Sequence, residues 1–298
     1  MPPTVKSHRP STLAIQSILA SVFGTLPNHD TIHFIPYGTV TYAYTAEVPS
    51  IGPVVVKVRR TEKDSFSSFF AHFWATNQWR SLGVPAPEVF FFDSDHCVEQ
   101  RMPGYHHTDT PLSSQEQDTF LTHMAELFQR LHSVTCSHYG YIKDRKKAIT
   151  WTALLENTFG HAFLTLRDSP VLSSQEFAKL EKLLMTALPS LTPSKPSLLH
   201  GDLHGFNYLV QGDTVTGVLD AAESLGGDPH YDLASFANTH PEFQSRMTTF
   251  YDHYKGCDVE RVRVYRAAIG ARKLVNQGIR QQDHQRIARE KATLLTLL

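Results

Sequence analysis

The dipeptide Pro103-Gly104 divides the chain into two unlike halves, and that division limits the folds open to it. Before it the pattern is mostly strand-like. Thr31–Val48 alternates in polarity with Gly38 as a turn, and Val54–Val58 is a β-branched run carrying one lysine. Val89–Asp93 and Cys97–Met102 read as two more strands. The aromatic-rich stretch Ser65–Leu82 is helical and stops at Gly83, with Pro85 and Pro87 beyond it. After Pro103-Gly104 helical spacing takes over. Ser113-Ser-Gln-Glu116 is a capping box ahead of Phe120, Leu121, Met124, Leu127, Phe128 and Leu131, which share one helix face. Trp151–Leu166 is a second amphipathic helix, and the Leu-Ser-Ser-Gln-Glu string from Leu172 opens a third. Strands followed by helices across one break predict an α+β arrangement of two lobes. The expected division is 1–98 for the first lobe, 99–104 for a hinge and 105–298 for the second. A cleft between lobes is a common home for a small-molecule site.

Composition narrows the function classes. Lys and Arg number 28 against 29 Asp and Glu, a net charge of −1 that argues against a general nucleic-acid or membrane binder. Cys97, Cys136 and Cys257 are odd in number and widely spaced without a CxxC pair. A disulfide scaffold and a cysteine zinc site are therefore not expected, and the compartment reads as reducing and cytoplasmic. Thr12–Leu26 is interrupted by Gln16 and Ser17 and reads as a half-buried helix, not a leader. No run approaches the roughly 18 apolar residues of a membrane span. The chain is expected to be a monomer or homodimer.

The densest signal lies late in the chain. Leu198-Leu-His-Gly-Asp-Leu-His-Gly-Phe-Asn-Tyr-Leu-Val210 precedes Val215-Thr-Gly-Val-Leu-Asp220 and Gly226-Gly-Asp-Pro-His-Tyr-Asp-Leu-Ala234. Two short apolar strands bracket Gln211-Gly212-Asp213, a hairpin turn. Polar residues at the open end of such a hairpin are held near one another, so Asp202, Asn207 and Asp220 bring three oxygen-bearing groups together. Hard oxygen ligands of this kind suit Mg²⁺, which prefers one or two carboxylates plus substrate phosphates.

HGDLHGFN, then Asp220, then GDPHYDLA resemble the aminoglycoside phosphotransferase family of small-molecule kinases, which has the two-lobed protein-kinase-like fold. The resemblance implies an ATP- and Mg²⁺-dependent phosphotransferase, with GTP as an alternative donor. Its acceptor would be a hydroxyl of a small molecule: an aminoglycoside-like antibiotic, a sugar or an amino alcohol. It implies that Asp202 positions the acceptor hydroxyl and takes its proton, and that Asn207 and Asp220 bind magnesium. Lys57 would contact the phosphates, Gly38 and Thr39 would lie in the loop above them, and the main chain of Gln100, Arg101 and Met102 would meet the adenine. Gly201 stands where many protein kinases carry an arginine, so control by a phosphorylated activation loop is not expected.

One departure bears on Lys57. The family's first-lobe helix normally offers it a glutamate, yet Ser65–Pro87 contains no acidic residue, and His72 or Phe73 lies near the expected place. Either Glu62 or Asp64 substitutes, or Asp220 and phosphate alone hold the lysine. That gap supports an alternative, a catalytically weak nucleotide-binding pseudokinase acting as an interaction module. His200-x-Asp202-x-His204 also allows a zinc or iron reading, and Gly201-Asp-Leu-His-Gly205 resembles the opening block of binuclear metallophosphatases, but no Gly-Asn-His block follows it. The other histidines show no ligand spacing and read mostly as surface residues. Asp228 and Asp232 read as anchors of loops and helix ends, and His200 as a packing residue of the catalytic loop. From Val259 onward the tail carries a charge of +6, a mild sign against a polycationic acceptor, and reads as a solvated helical face.

Overall fold

The computed structural model describes residues 9–36, 40–60, 68–106, 112–144, 149–187 and 190–298. The first lobe is a five-stranded antiparallel sheet in the order β1-β2-β3-β5-β4, built from β1 (His33–Ile35), β2 (Thr41–Val48), β3 (Gly52–Arg59), β4 (Val89–Phe92) and β5 (His96–Gln100). Strand side chains alternate between faces. Val54, Val56, Val58 and Val98 therefore fall on one face, where they pack with Ile15 and Leu19 of α1 (Thr12–Phe23). The segment considered as a leader is thus a core helix, closed by Ser11 at its start and Gly24 at its end. Lys57, Cys97 and Glu99 take the opposite face.

That second face is covered by α2 (Phe69–Arg80), whose N-cap Ser68 accepts the Ala71 amide. The helix has two allegiances. Phe69 packs with Val89 and Cys97 of the sheet, while Ala71, Ala75 and Trp79 join the apolar core of the second lobe.

The second lobe is mainly helical, with α3 (Ser114–Leu131), α4 (Trp151–Arg167), α5 (Ser174–Ala187), α6 (Pro229–Thr239), α7 (Met247–His253), α8 (Val259–Lys273) and α9 (His284–Leu295). Both expected capping boxes form: Ser113 and Glu116 bond each other's backbone amides, as do Ser173 and Glu176. Short strands β6 (Gly140–Tyr141), β7 (Ser197–Leu199) and β10 (Leu225–Gly227) pair in the order β6-β10-β7, and β8 (Tyr208–Gln211) pairs with β9 (Thr214–Val218) as a hairpin. The tail differs from the solvated face expected of it. Val262, Tyr265, Ala267, Ala268 and Leu274 are buried in the lobe's core. Its cations largely serve as ties: Arg261 to Asp228, Arg266 to Asn238, Lys273 to Glu290 and Lys291 to Glu176. His200 is buried, as expected of a packing residue, and His72, His132 and His240 are buried as well, while the other described histidines reach the surface. Among the described residues no helix is long and apolar enough to cross a membrane.

Candidate active site

β7 delivers the chain into the loop that begins at His200. The loop is held from below by Asp232 on α6, whose carboxylate accepts the backbone N–H groups of His200 (2.7 Å) and Gly201 (3.0 Å) and also meets His132 Nε2 (3.2 Å). Asp228 caps α6, accepts the Tyr265 hydroxyl and pairs with Arg261, so both aspartates anchor structure. Gly201 has φ +82°, and a Cβ there would lie 2.6 Å from the Glu223 carbonyl oxygen. An arginine has no room at this position. His200 is fully buried and stacked on Trp79 of α2 at 5.7 Å; its Nδ1 accepts the Asp202 amide, so Nε2–H donates to the Leu219 carbonyl (2.8 Å). Burial holds this imidazole below its usual pKa. With both nitrogens engaged it has no lone pair for an ion, which removes His200 from a His200-x-Asp202-x-His204 metal site.

Asp202 projects outward, with its side chain 55% exposed. Asn207 is buried; its Nδ2–H donates to the Asp202 carbonyl (2.8 Å) and lies 3.4 Å from Asp202 Oδ2. Oδ1 of Asn207 then has no protein donor among the described residues. The Leu219 amide donates to the Asn207 carbonyl (2.8 Å), which stitches the open end of the hairpin and sets Asp220 beside the loop. Asp220 is in the left-handed region (φ 54°, ψ 56°) and heads the short 3₁₀ turn Ala221–Glu223 without capping it, so its exposed carboxylate stays free. Asn207 Oδ1 and the Asp220 carboxylate are hard oxygen donors without competing protein partners, a set that fits Mg²⁺.

Lys57 has a partner that the sequence reading missed. Its Nζ lies 2.9 Å from Glu99 Oε1, and both side chains are largely buried. The register explains the pairing: Lys57 faces Cys97 and Val55 faces Glu99, so Lys57 and Glu99 are diagonal neighbours on one sheet face. The other Glu99 oxygen, Oε2, accepts from His72 Nε2 on α2 (2.5 Å). Burial alone would push the Glu99 carboxyl up, but Lys57 and His72 bring it down to about 2. Burial likewise opposes the Lys57 ammonium, and Glu99 and Asp220 more than offset it, holding the lysine above its ordinary range. Glu62 and Asp64 lie outside the described residues, as do Gly38 and Thr39. The acid is thus supplied by β5, not by the helix, and Asp220 and phosphate are not its sole support.

The hinge narrows too. The Gln100 amide donates to Glu88 O (2.7 Å) and the Arg101 amide to Pro53 O (3.0 Å). Of the three residues expected to meet adenine, only Met102 keeps an amide with no protein acceptor among the described residues. Beyond it, Thr216 donates to Pro103 O, and Tyr105 exchanges backbone bonds with Val210, so the hinge is fastened to the β8–β9 hairpin.

The family model for the phosphotransferase enzyme family matches residues 31–266. A sequence comparison with curated proteins finds no relative. Among solved structures, a thermostable mutant of the aminoglycoside phosphotransferase APH(4)-Ia, in a ternary complex with ADP and hygromycin B, matches at a TM-score of 0.72 and 21% identity, covering 95% of this chain and 97% of that one. The gentamicin complex of APH(2")-IIa matches at 0.64 and 16%, covering 97% of each. The macrolide 2'-phosphotransferase MphH from Brachybacterium faecium matches at 0.65 and 14%, covering 95% of this chain and 97% of that one. At these identities the likeness is one of fold, a strand-rich first lobe on a helical second.

Proposed function

Because this chain belongs to the phosphotransferase enzyme family, we propose that it moves the γ-phosphoryl group of ATP to a hydroxyl of a small molecule, with magnesium, between a nucleotide lobe (1–98), a hinge (99–104) and a catalytic lobe (105–298). The observation that carries the reading is a cation held in place beside free carboxylates: Lys57, paired with buried Glu99, acts electrostatically with Asp220, while Asp202 and Asn207 touch across the loop. Phosphoryl transfer asks little covalent chemistry of a protein and much positioning and charge neutralisation, which these groups supply. Lys57 steadies the phosphates, and the Met102 amide is the hinge donor available to the purine. Asn207 Oδ1 and the Asp220 carboxylate would hold magnesium, which would supply positive charge against the transferring phosphate.

Asp202 accepts the proton of the acceptor hydroxyl as that oxygen bonds to the γ-phosphorus. The bond from phosphorus to the β–γ bridging oxygen breaks, ADP departs with its electron pair, and a phosphate ester remains. Glu99 supplies the acid whose apparent lack motivated the pseudokinase alternative. The acceptor is proposed as an aminoglycoside-like antibiotic, a sugar or an amino alcohol, acted on in the cytoplasm. Two cations of the +6 tail are offset by acids outside it, Arg261 by Asp228 and Lys291 by Glu176.

The test is phosphate-transfer detection with ATP and Mg²⁺ across a panel of those three acceptor classes, alongside Asp202→Asn. Turnover of the variant is expected to fall by on the order of a thousandfold while nucleotide binding survives. A near-wild-type rate in that variant would remove Asp202 from the mechanism, and nucleotide binding without transfer to any acceptor would restore the pseudokinase reading.

A further inference from the structure

α2 carries a buried histidine with a different partner at each ring nitrogen. His72 is 1% exposed, and so is Ala221, the residue after Asp220. The Ala221 backbone N–H donates to His72 Nδ1 (3.1 Å), and a backbone amide can only donate. Nδ1 is therefore the bare nitrogen, and the ring's hydrogen sits on Nε2, directed at Glu99 Oε2. Glu99 in turn holds Lys57 through its other oxygen. A chain of side chains thus runs from Lys57 on β3, through Glu99 on β5 and His72 on α2, into the backbone of the turn that presents Asp220.

We propose that His72 is a positioning residue that ties the phosphate-contacting lysine to the magnesium-binding turn, so that one buried hydrogen-bonded chain sets both. This rests on the roles given above to Lys57 and Asp220. The turn needs such support. Asp220 holds a left-handed backbone conformation that persists in residues with a Cβ when the surroundings impose it. The leading amide of a helical turn has no partner within the turn. Here α2 satisfies that amide, and the Asp220 carboxylate makes no capping bond. A glutamate in place of His72 would set a second carboxylate against buried Glu99.

Two substitutions divide the ring's functions. His72→Asn keeps an acceptor where Nδ1 stood but cannot reach Glu99; His72→Gln reaches Glu99 but leaves the Ala221 amide unmatched. The measurement is calorimetric binding of AMP-PNP, with and without Mg²⁺, to wild type and both variants. Loss of one such hydrogen bond should cut the magnesium-dependent gain in affinity about fivefold in His72→Gln, with metal-free affinity within about twofold and the gain retained in His72→Asn. Equal losses in the two variants, or none in His72→Gln, overturn the proposal. If either variant fails to fold, ¹⁵N long-range correlation spectra of the unaltered protein decide: a His72 ring protonated at Nε2 and bare at Nδ1 supports it, and the opposite tautomer overturns it. Wild type that binds no nucleotide defeats the kinase reading and this one together; wild type that binds normally beside unsplit variants defeats this one alone.

Discussion

Glu99 is buried at 2% exposure with Lys57 on one oxygen and His72 on the other. Removing one member of such a pair leaves an unmatched charge in a water-poor interior, so Glu99→Gln should cost about 3 kcal/mol at neutral pH. The pH dependence has a definite sign. The folded-state carboxyl lies at about 2, below the ordinary 4.5. Its contribution to stability is therefore complete above pH 4.5 and disappears as pH falls from 4.5 toward 2. Urea unfolding through that window should show wild type losing stability more steeply than Glu99→Gln, and parallel curves would contradict the linkage. Asp202, Asn207 and Asp220 were legible because one contiguous stretch spells them and a short hairpin closes on itself. Glu99 was not, because its tie to Lys57 depends on which strand lies beside β3 and in what register.

At the scale of elements, α2 shows what periodicity leaves open. The helix was readable from Ser65–Leu82, and the structure trims it to Phe69–Arg80 with Ser68 as its cap. Its aromatic content puts apolar groups on more than one face, so the pattern did not say which body each face would meet. Ala75 is fully buried where the helix joins the second lobe's core. Ala75→Leu should overpack this contact at a cost of about 1–3 kcal/mol. It should also raise the KM for ATP by displacing His72 and Trp79. The exposed Asn77→Ala change is the control, and steady-state kinetics with urea midpoints check both; an unaltered KM in Ala75→Leu would separate α2 packing from the nucleotide site. The capping boxes at Ser113 and Ser173 were legible because each is closed over three residues. The strands β6, β7 and β10 span only two or three residues each and exist through distant pairing, which leaves no local period to read.

At the scale of the molecule, the two lobes are joined by more than the hinge. α2 buries Ala71, Ala75 and Trp79 in the second lobe, His72 bonds the Ala221 amide, and the Val218 amide donates to Pro85 O (2.6 Å). A ligand held at the lobe boundary should therefore stabilise the whole chain. At about 100 times its Kd it adds about 2.7 kcal/mol, which for a chain of this length raises Tm by about 4 °C. Differential scanning calorimetry with Mg²⁺–AMP-PNP should show the principal transition moving as one. A first-lobe transition that shifts alone would mean that these ties do not couple the lobes.

Local order needed nothing beyond the order of residues: the change from strand to helix at Pro103-Gly104, the capping boxes, and the turn joining Asp202 to Asn207. The capping boxes and that turn depend on groups a few residues apart, where backbone geometry sets the distance, and Asp220 follows because a short hairpin returns to the loop. The acid opposite Lys57, the reach of His72, the burial of α8 and the Met102 amide left unpaired among the described residues were decided only when strands chose neighbours and helices chose faces. Those choices minimise exposed apolar surface and unmatched polar groups over the whole molecule, a condition no short stretch of sequence carries by itself.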